Sequence, residues 1–313
     1  MFTLEEYDIK EEWISSETDE KSFPQKIIIK KAQIPYDLPL EIVNLALTRA
    51  IHNIGYSIIS GKENSNKDKV TILAGINNIP SIKIELIKNK KLKYKKGKIA
   101  LIIEDFGNRY DEVTKEFLKL PVKISISVVP GRQYSKKIEK DAVNEDKEVI
   151  INLPMESRRM LKKEKLLLKN NMKQTQVRTL MNRVFAEIPD AKGVNNYQGA
   201  LATENVNLMR YLANILRRKG LFFVDSITST KSKAYETMKK LKVKTEKRDI
   251  ILDSEPIPER ILYQLELLKQ TSITEGKAIG IGKEDKITLE TLKKELPKLE
   301  KKGFEFVFVS ELF

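Results

Sequence analysis

The apolar positions along this chain change rhythm once, near residue 99. Upstream, Lys26 to Ala32 reads as a strand. Leu40, Ile42, Val43, Leu45, Ala46, Ala50 and Ile51 then recur at the spacing of an amphipathic helix over 39–53. Short strands are expected at 56–60, 70–74 and 82–87. In the last of these Ile82, Ile84 and Leu86 alternate with Lys83 and Glu85, the period of a half-exposed strand. Together these elements predict a small α+β domain over 25–87. Residues 1–24 carry many acids and no regular apolar period, and read as an acidic, loosely ordered lead. Over 88–98 seven of eleven residues are lysine, which reads as a solvated linker.

From 99 to 313 apolar strand candidates recur at 99–103, 122–129, 148–153, 192–195, 221–225, 249–252, 277–282 and 304–309. Amphipathic stretches lie between most of them, at 110–119, 134–145, 173–187, 203–219, 231–241, 257–272 and 286–302. Asp111 or Thr203 is suited to start a helix, and Gly220 or Gly303 to stop one. Such alternation argues for parallel strands with helical crossovers. The expected fold is therefore α/β: a seven- or eight-stranded (β/α) barrel, complete or with part of its wall missing, preceded by the small α+β domain.

The run Ile99-Ala-Leu-Ile-Ile103 suits a strand buried on both faces. Glu104 and Asp105 follow it directly. Bare carboxylates are expensive to bury, so they belong at the open end of that strand, where α/β folds bind ligands. Other strand candidates also end in polar residues: Asn152 and Glu156; Asn195, Asn196 and Tyr197; Asp225, Ser226 and Thr228; Asp253, Ser254 and Glu255; Lys283 and Glu284; Ser310. Capping and turn formation explain Asp, Asn, Ser and Thr, but not Glu156, Tyr197 or Lys283. A polar mouth built from strand ends is expected, with groups suited to hydrogen-bonding sugar hydroxyls and acetamido groups.

Composition narrows the chemistry. Hydrophobic residues make up 41% of the chain and charged ones 33%, with a net charge of +14. The lysines are spread along exposed helix faces and no helix-turn-helix, zinc-finger or RNP-type motif occurs, so nucleic acid is not an expected partner. An anionic polymer at the 88–98 run is the alternative reading of that basic stretch. There is no cysteine, which excludes disulfides and thiolate metal sites. His52 is the single histidine and falls at the end of its helix, with no second histidine to share a metal. A serine-histidine triad in the barrel is therefore excluded. No run reaches the length of a membrane span, and residues 1–21 are too polar for a signal peptide.

The motifs carry a resemblance. Ile102-Ile-Glu-Asp-Phe-Gly107, Glu148 through Leu153-Pro-Met-Glu156, Gly193-Val-Asn-Asn196, Leu221-Phe-Phe-Val-Asp-Ser226 with Thr228, Leu252-Asp253 and Ala278-Ile-Gly-Ile-Gly282 occur in order. In this the chain resembles the divergent polysaccharide deacetylases, a branch of the barrel enzymes that remove acetyl groups from amino-sugar polymers. The resemblance implies an acetylated glycan as partner and an envelope location. It also implies a bound divalent metal that activates water, a carboxylate base and a histidine acid. Four positions depart from the family pattern: Glu104 replaces an aspartate, and Asn152, Tyr197 and Lys283 replace histidines.

Three readings follow. The first is a glycan-binding barrel with impaired or lost deacetylation, using Glu156, Asn195, Asn196, Asp225, Ser226 and Thr228 to hold polymer. It needs no cofactor, and the small domain would be free to take a protein partner. The second is an active hydrolase. Glu104 is its base, Lys283 or Tyr197 its proton donor, and Asp105, Glu156 and the Asn152 amide hold a weakly bound Mg, Mn or Ca ion; a tight Zn site is not expected without nitrogen ligands. The third is a metal-independent glycosidase that pairs Glu104 with Asp225, whose separation sets its stereochemistry.

Overall fold

A computed structural model describes residues 4, 7, 9–19, 26–92, 97–159, 164–301 and 303–313. The chain divides into two compact units, Met1–Lys95 and Lys96–Phe313.

The first unit is a five-stranded sheet of β1 (Ile14–Asp19), β2 (Ile27–Pro35), β3 (Ser57–Glu63), β4 (Lys69–Ile76) and β5 (Ile79–Asn89), with α1 (Leu40–Asn53) between β2 and β3. The strand order is β1-β2-β5-β4-β3. α1 buries Leu40, Val43, Leu47 and Ile51. His52 lies exposed in its last turn. β1 corrects the expectation of a loosely ordered lead. As an edge strand it is mostly exposed, so the apolar alternation that marks a strand is missing from Ser15 to Asp19. Residues 1–3, 5–6, 8 and 20–25, and Lys93 to Lys96 of the lysine-rich run, lie outside the described residues.

In the second unit, β6 (Lys98–Phe106), β7 (Ser125–Val128), β8 (Glu148–Met155), β9 (Gly193–Gln198), β10 (Phe222–Asp225) and β11 (Thr245–Lys247) follow one another around the wall. β12 (Ile250–Ile251) and β13 (Lys277–Lys283) complete it on the other side of β6. The order is β11-β10-β9-β8-β7-β6-β13-β12, all parallel. β14 (Glu305–Val307) pairs with the start of β6 only. Crossovers are α2 (Glu112–Leu118), α3 (Ser135–Asn144), α4 (Gln174–Glu187), α5 (Val206–Lys219), α6 (Ala234–Lys240), α7 (Pro258–Glu275) and α8 (Lys286–Lys301). The fold is the expected incomplete (β/α) barrel. β11 and β12 are its two free edges, and only Arg248 and Asp249 separate them in the chain. Arg248 N donates to the Asp225 carbonyl on one side (3.0 Å), and Asp249 N to the Ile279 carbonyl on the other (2.9 Å).

Ala100, Ile102, Ile150, Phe222, Val224 and Ile279 fill the barrel. Val309 joins them from the C-terminal 3₁₀ turn. Gly193 leaves room for Phe222: a Cβ there would stand 2.2 Å from the ring. Asp111 caps α2, its carboxylate accepting Thr114 N at 3.1 Å. Gly220 ends α5 in the left-handed conformation. Asn205, not Thr203, starts α5; Thr203 sits in the preceding 3₁₀ turn.

Candidate functional site

A cleft of about 280 Å³ opens at the C-terminal ends of the strands. β6 places Glu104 and Asp105 in its wall, β9 places Asn196 and Tyr197, and the loop after β10 places Ser226 and Thr228. Lys283 enters from the end of β13, and Asp253 and Ser254 follow β12. Ile251 and Ile281 supply apolar surface.

Asn152 and Asn195 are fully buried and face one another across β8 and β9. Asn195 Nδ2 donates to Glu104 Oε2 (3.3 Å), Asn152 Oδ1 (3.2 Å) and Ser226 Oγ (3.3 Å), so two N–H groups serve three acceptors. Ser127 Oγ donates to Asn195 Oδ1 at 2.5 Å. Asn152 Nδ2 is buried with no hydrogen-bond partner among the described residues. Asn196 ties the β10 loop to β9: its Oδ1 accepts Ser226 N (2.8 Å), and its Nδ2 donates to Gln198 O (2.8 Å) and Thr228 Oγ1 (3.2 Å).

Burial pushes the Glu104 carboxyl up to about 8, and the neighbouring Asp105 and Asp253 push the same way against Lys283 and Arg248. At neutral pH Glu104 is therefore mostly protonated, a hydrogen-bond donor rather than a charged base. Asp105 has φ 75, a left-handed conformation that costs a non-glycine residue energy, where the β6–β7 register shifts. Its carbonyl accepts Arg132 Nη1 at 3.2 Å. Arg132 also pairs with Glu164 at 2.7 Å, their side chains 7% and 6% exposed, and lies 5.2 Å from the Tyr197 ring centre. Arg248 Nε donates to the Ser226 carbonyl at 2.9 Å. The sequence analysis missed both arginines. The only signal was position: Arg132 follows β7 and Arg248 follows β11, each just past a strand end.

Four expected mouth residues serve elsewhere. Asp225 is buried. Its Oδ1 accepts Ile227 N (2.9 Å) and its Oδ2 accepts Ser232 Oγ (2.7 Å) and Tyr235 N (3.3 Å), so it organises the loop into α6 and is not among the residues lining the cleft. That removes the partner the glycosidase reading needs. Glu156 Oε2 accepts Asn170 N at 2.6 Å, and Glu156 also lies outside the cleft lining. Glu284 accepts a hydrogen bond from Thr114 of α2 and lies 3.6 Å from Arg109 Nε; burial raises it to about 7. Ser310 lies at the opposite rim, its N–H directed at Glu148, the first residue of β8. β14 is too short to carry it to the mouth. For Asp225 and Glu156, a carboxylate that satisfies backbone N–H groups looks, in sequence, like one that faces ligand.

The oxygen set Asp105, Glu156 and Asn152 does not assemble as a metal site. Glu156 is committed to Asn170, and Asn152 Oδ1 to Asn195. Among the described residues no group of three or more His, Cys, Asp or Glu side chains is placed to hold a metal ion. An amide, a phenol and an ammonium stand at the three positions where the family pattern has histidine. None supplies an imidazole nitrogen. These residues do not fit the catalytic metal that the fold implies.

Fold and site together define a barrel of the carbohydrate-deacetylase kind whose metal-holding positions carry other chemistry. Residues 101–313 match the family described as divergent polysaccharide deacetylase, and the chain belongs to that family. It is 29% identical over 197 residues to the uncharacterized protein YibQ of Escherichia coli K12, a match covering 63% of this chain and 61% of YibQ. The chain thus spans about three-fifths of that relative's length. An uncharacterized protein of Haemophilus influenzae is 31% identical over 189 residues, covering 60% of this chain and 67% of that protein. The crystal structure of the Agrobacterium tumefaciens C58 protein ATU2773 shares the fold, with a TM-score of 0.66, 20% identity and coverage of 70% of this chain and 90% of that one.

Proposed function

We propose that the cleft recognises an amino-sugar polymer of the cell envelope and that metal-dependent deacetylation there is impaired or lost. The observation that carries this reading is the Asn152–Asn195–Glu104 hydrogen-bond chain, which stands where the family's chemistry calls for a metal centre. A protonated Glu104, the Asn196 amide, the Ser226 and Thr228 hydroxyls and the Tyr197 phenol line the cleft and form a set of donors and acceptors matched to sugar hydroxyls and acetamido groups. Tyr197, braced by Arg132, offers an aromatic edge. Family membership supports the substrate class. Loss of metal activation leaves water near its bulk pKa of about 15.7 instead of about 7, and loss of a histidine acid removes roughly 10²- to 10⁴-fold more rate.

The test is an acetate-release assay on an N-acetylglucosamine oligomer, with and without added zinc, beside a direct binding titration. Saturable binding without release above buffer is the expected result. Zinc-dependent release of acetate would overturn the loss of deacetylation, and failure of any amino-sugar oligomer to bind would overturn the recognition.

A further inference from the structure

The charges in the cleft narrow its ligand further, on the reading of it as an amino-sugar site. Glu104, Asp105 and Asp253 all line it. Asp253 is 4% exposed. Its Oδ2 is engaged, accepting Lys283 N (2.7 Å) and Thr288 Oγ1 (2.8 Å). Its Oδ1 is buried and has no hydrogen-bond partner among the described residues. The site therefore holds a carboxylate fixed by one oxygen and unsatisfied at the other, and a buried acceptor of that kind calls for a donor.

An acetamido group is a poor answer to that demand. Its carbonyl is an acceptor, its methyl is apolar, and its single N–H is neutral. An ammonium brings three donors and the opposite charge, and charge-assisted bonds are about twice as strong as neutral ones. We infer that the cleft takes the ammonium of a de-N-acetylated amino sugar, with the Asp253 carboxylate as its anchor. A single carboxylate with hydroxyl neighbours can seat an ammonium, whereas a metal needs a gathered cage that the described residues do not form. Glu104 adds a second charge when the ligand displaces its proton. The two cations do not block the arrangement: Arg248 Nε is turned to the Ser226 carbonyl, and Lys283 is exposed to solvent. With a net charge of +14 the chain as a whole repels a cationic oligomer, so any preference for one comes from the local site.

The experiment is calorimetric titration of the full chain at pH 6.5 with three tetramers: β-1,4-linked glucosamine, its fully N-acetylated counterpart, and cellotetraose. Glucosamine tetramer is expected to bind about tenfold tighter than either of the others. Asp253→Asn should bring that ratio to about one. If Asp253→Asn does not fold, Glu104→Gln takes its place, with a reduced ratio expected. Equal or tighter binding of the acetylated tetramer, or a preference that survives these substitutions, overturns the ammonium inference and leaves the amino-sugar reading standing. If no tetramer binds, both fall.

Discussion

At the N-terminal rim of the barrel the buried Glu148 carboxylate is fully occupied: Ser125 Oγ donates to it at 2.7 Å and Ser310 N at 3.3 Å. Nearby, Lys147 Nζ donates to the Leu120 and Val122 carbonyls at 2.6 and 3.2 Å. Toward the C-terminal ends of the wall strands, Asp253 Oδ1 and Asn152 Nδ2 are buried with no partner among the described residues, and Glu104 is forced to keep its proton. One end of the wall spends its polar groups on holding itself together; the other leaves some of them waiting. Unsatisfied buried groups destabilise a fold. Their concentration at the mouth, where this architecture binds ligands, marks it as the working end.

Three substitutions sharpen the contrast. The largest effect is expected from the bracket under the mouth. Arg132→Ala leaves Glu164 buried without its partner among the described residues, and should destabilise the protein by about 3–5 kcal/mol in urea unfolding. A loss below about 1 kcal/mol would mean that Glu164 finds water and that the bracket carries little. Next is pH. Glu104 holds its proton to about 8 in the folded state and releases it in the ordinary carboxyl range when unfolded. Between those limits the folded state binds more protons, so stability falls as pH rises from about 4.5 to about 8. Glu284, raised to about 7, acts in the same direction. Melting temperatures at pH 5, 6.5 and 8 should decline, and Glu104→Gln should flatten part of the slope. An unchanged slope in that variant would place the liability elsewhere. The smallest effect belongs to the satisfied rim: Glu148→Ala strands Ser125 and the Ser310 N–H, at about 1–3 kcal/mol by the same unfolding measurement. No loss there would erase the distinction between the two ends.

Much of the barrel was legible because each crossover helix and each wall strand buries enough apolar surface to leave its period in the sequence. Ile99 to Ile103 and the α5 face are clear cases. β11, Thr-Glu-Lys, escaped because a three-residue edge strand has no room to show a period. β1 escaped because its side chains are mostly exposed. The strand ends of the site were legible for the same reason as the strands. What sequence could not separate is a carboxylate that faces a cleft from one that ties down a loop. Asp225 and Glu156 have the spacing of ligand-facing residues but bond to backbone two to fourteen positions on. Arg132 and Arg248 were missed for the converse reason, since an arginine in a loop looks solvated until the partners it reaches are seen.

Joining the two free edges of the wall by Arg248 and Asp249 alone has a mechanical result. From Lys247 to Ile250 the chain takes three steps of at most about 3.6 Å each, so that gap cannot gape beyond roughly 11 Å however the loops above it rearrange. A tether of covalent bonds caps the dilation that a missing ladder of hydrogen bonds would otherwise permit.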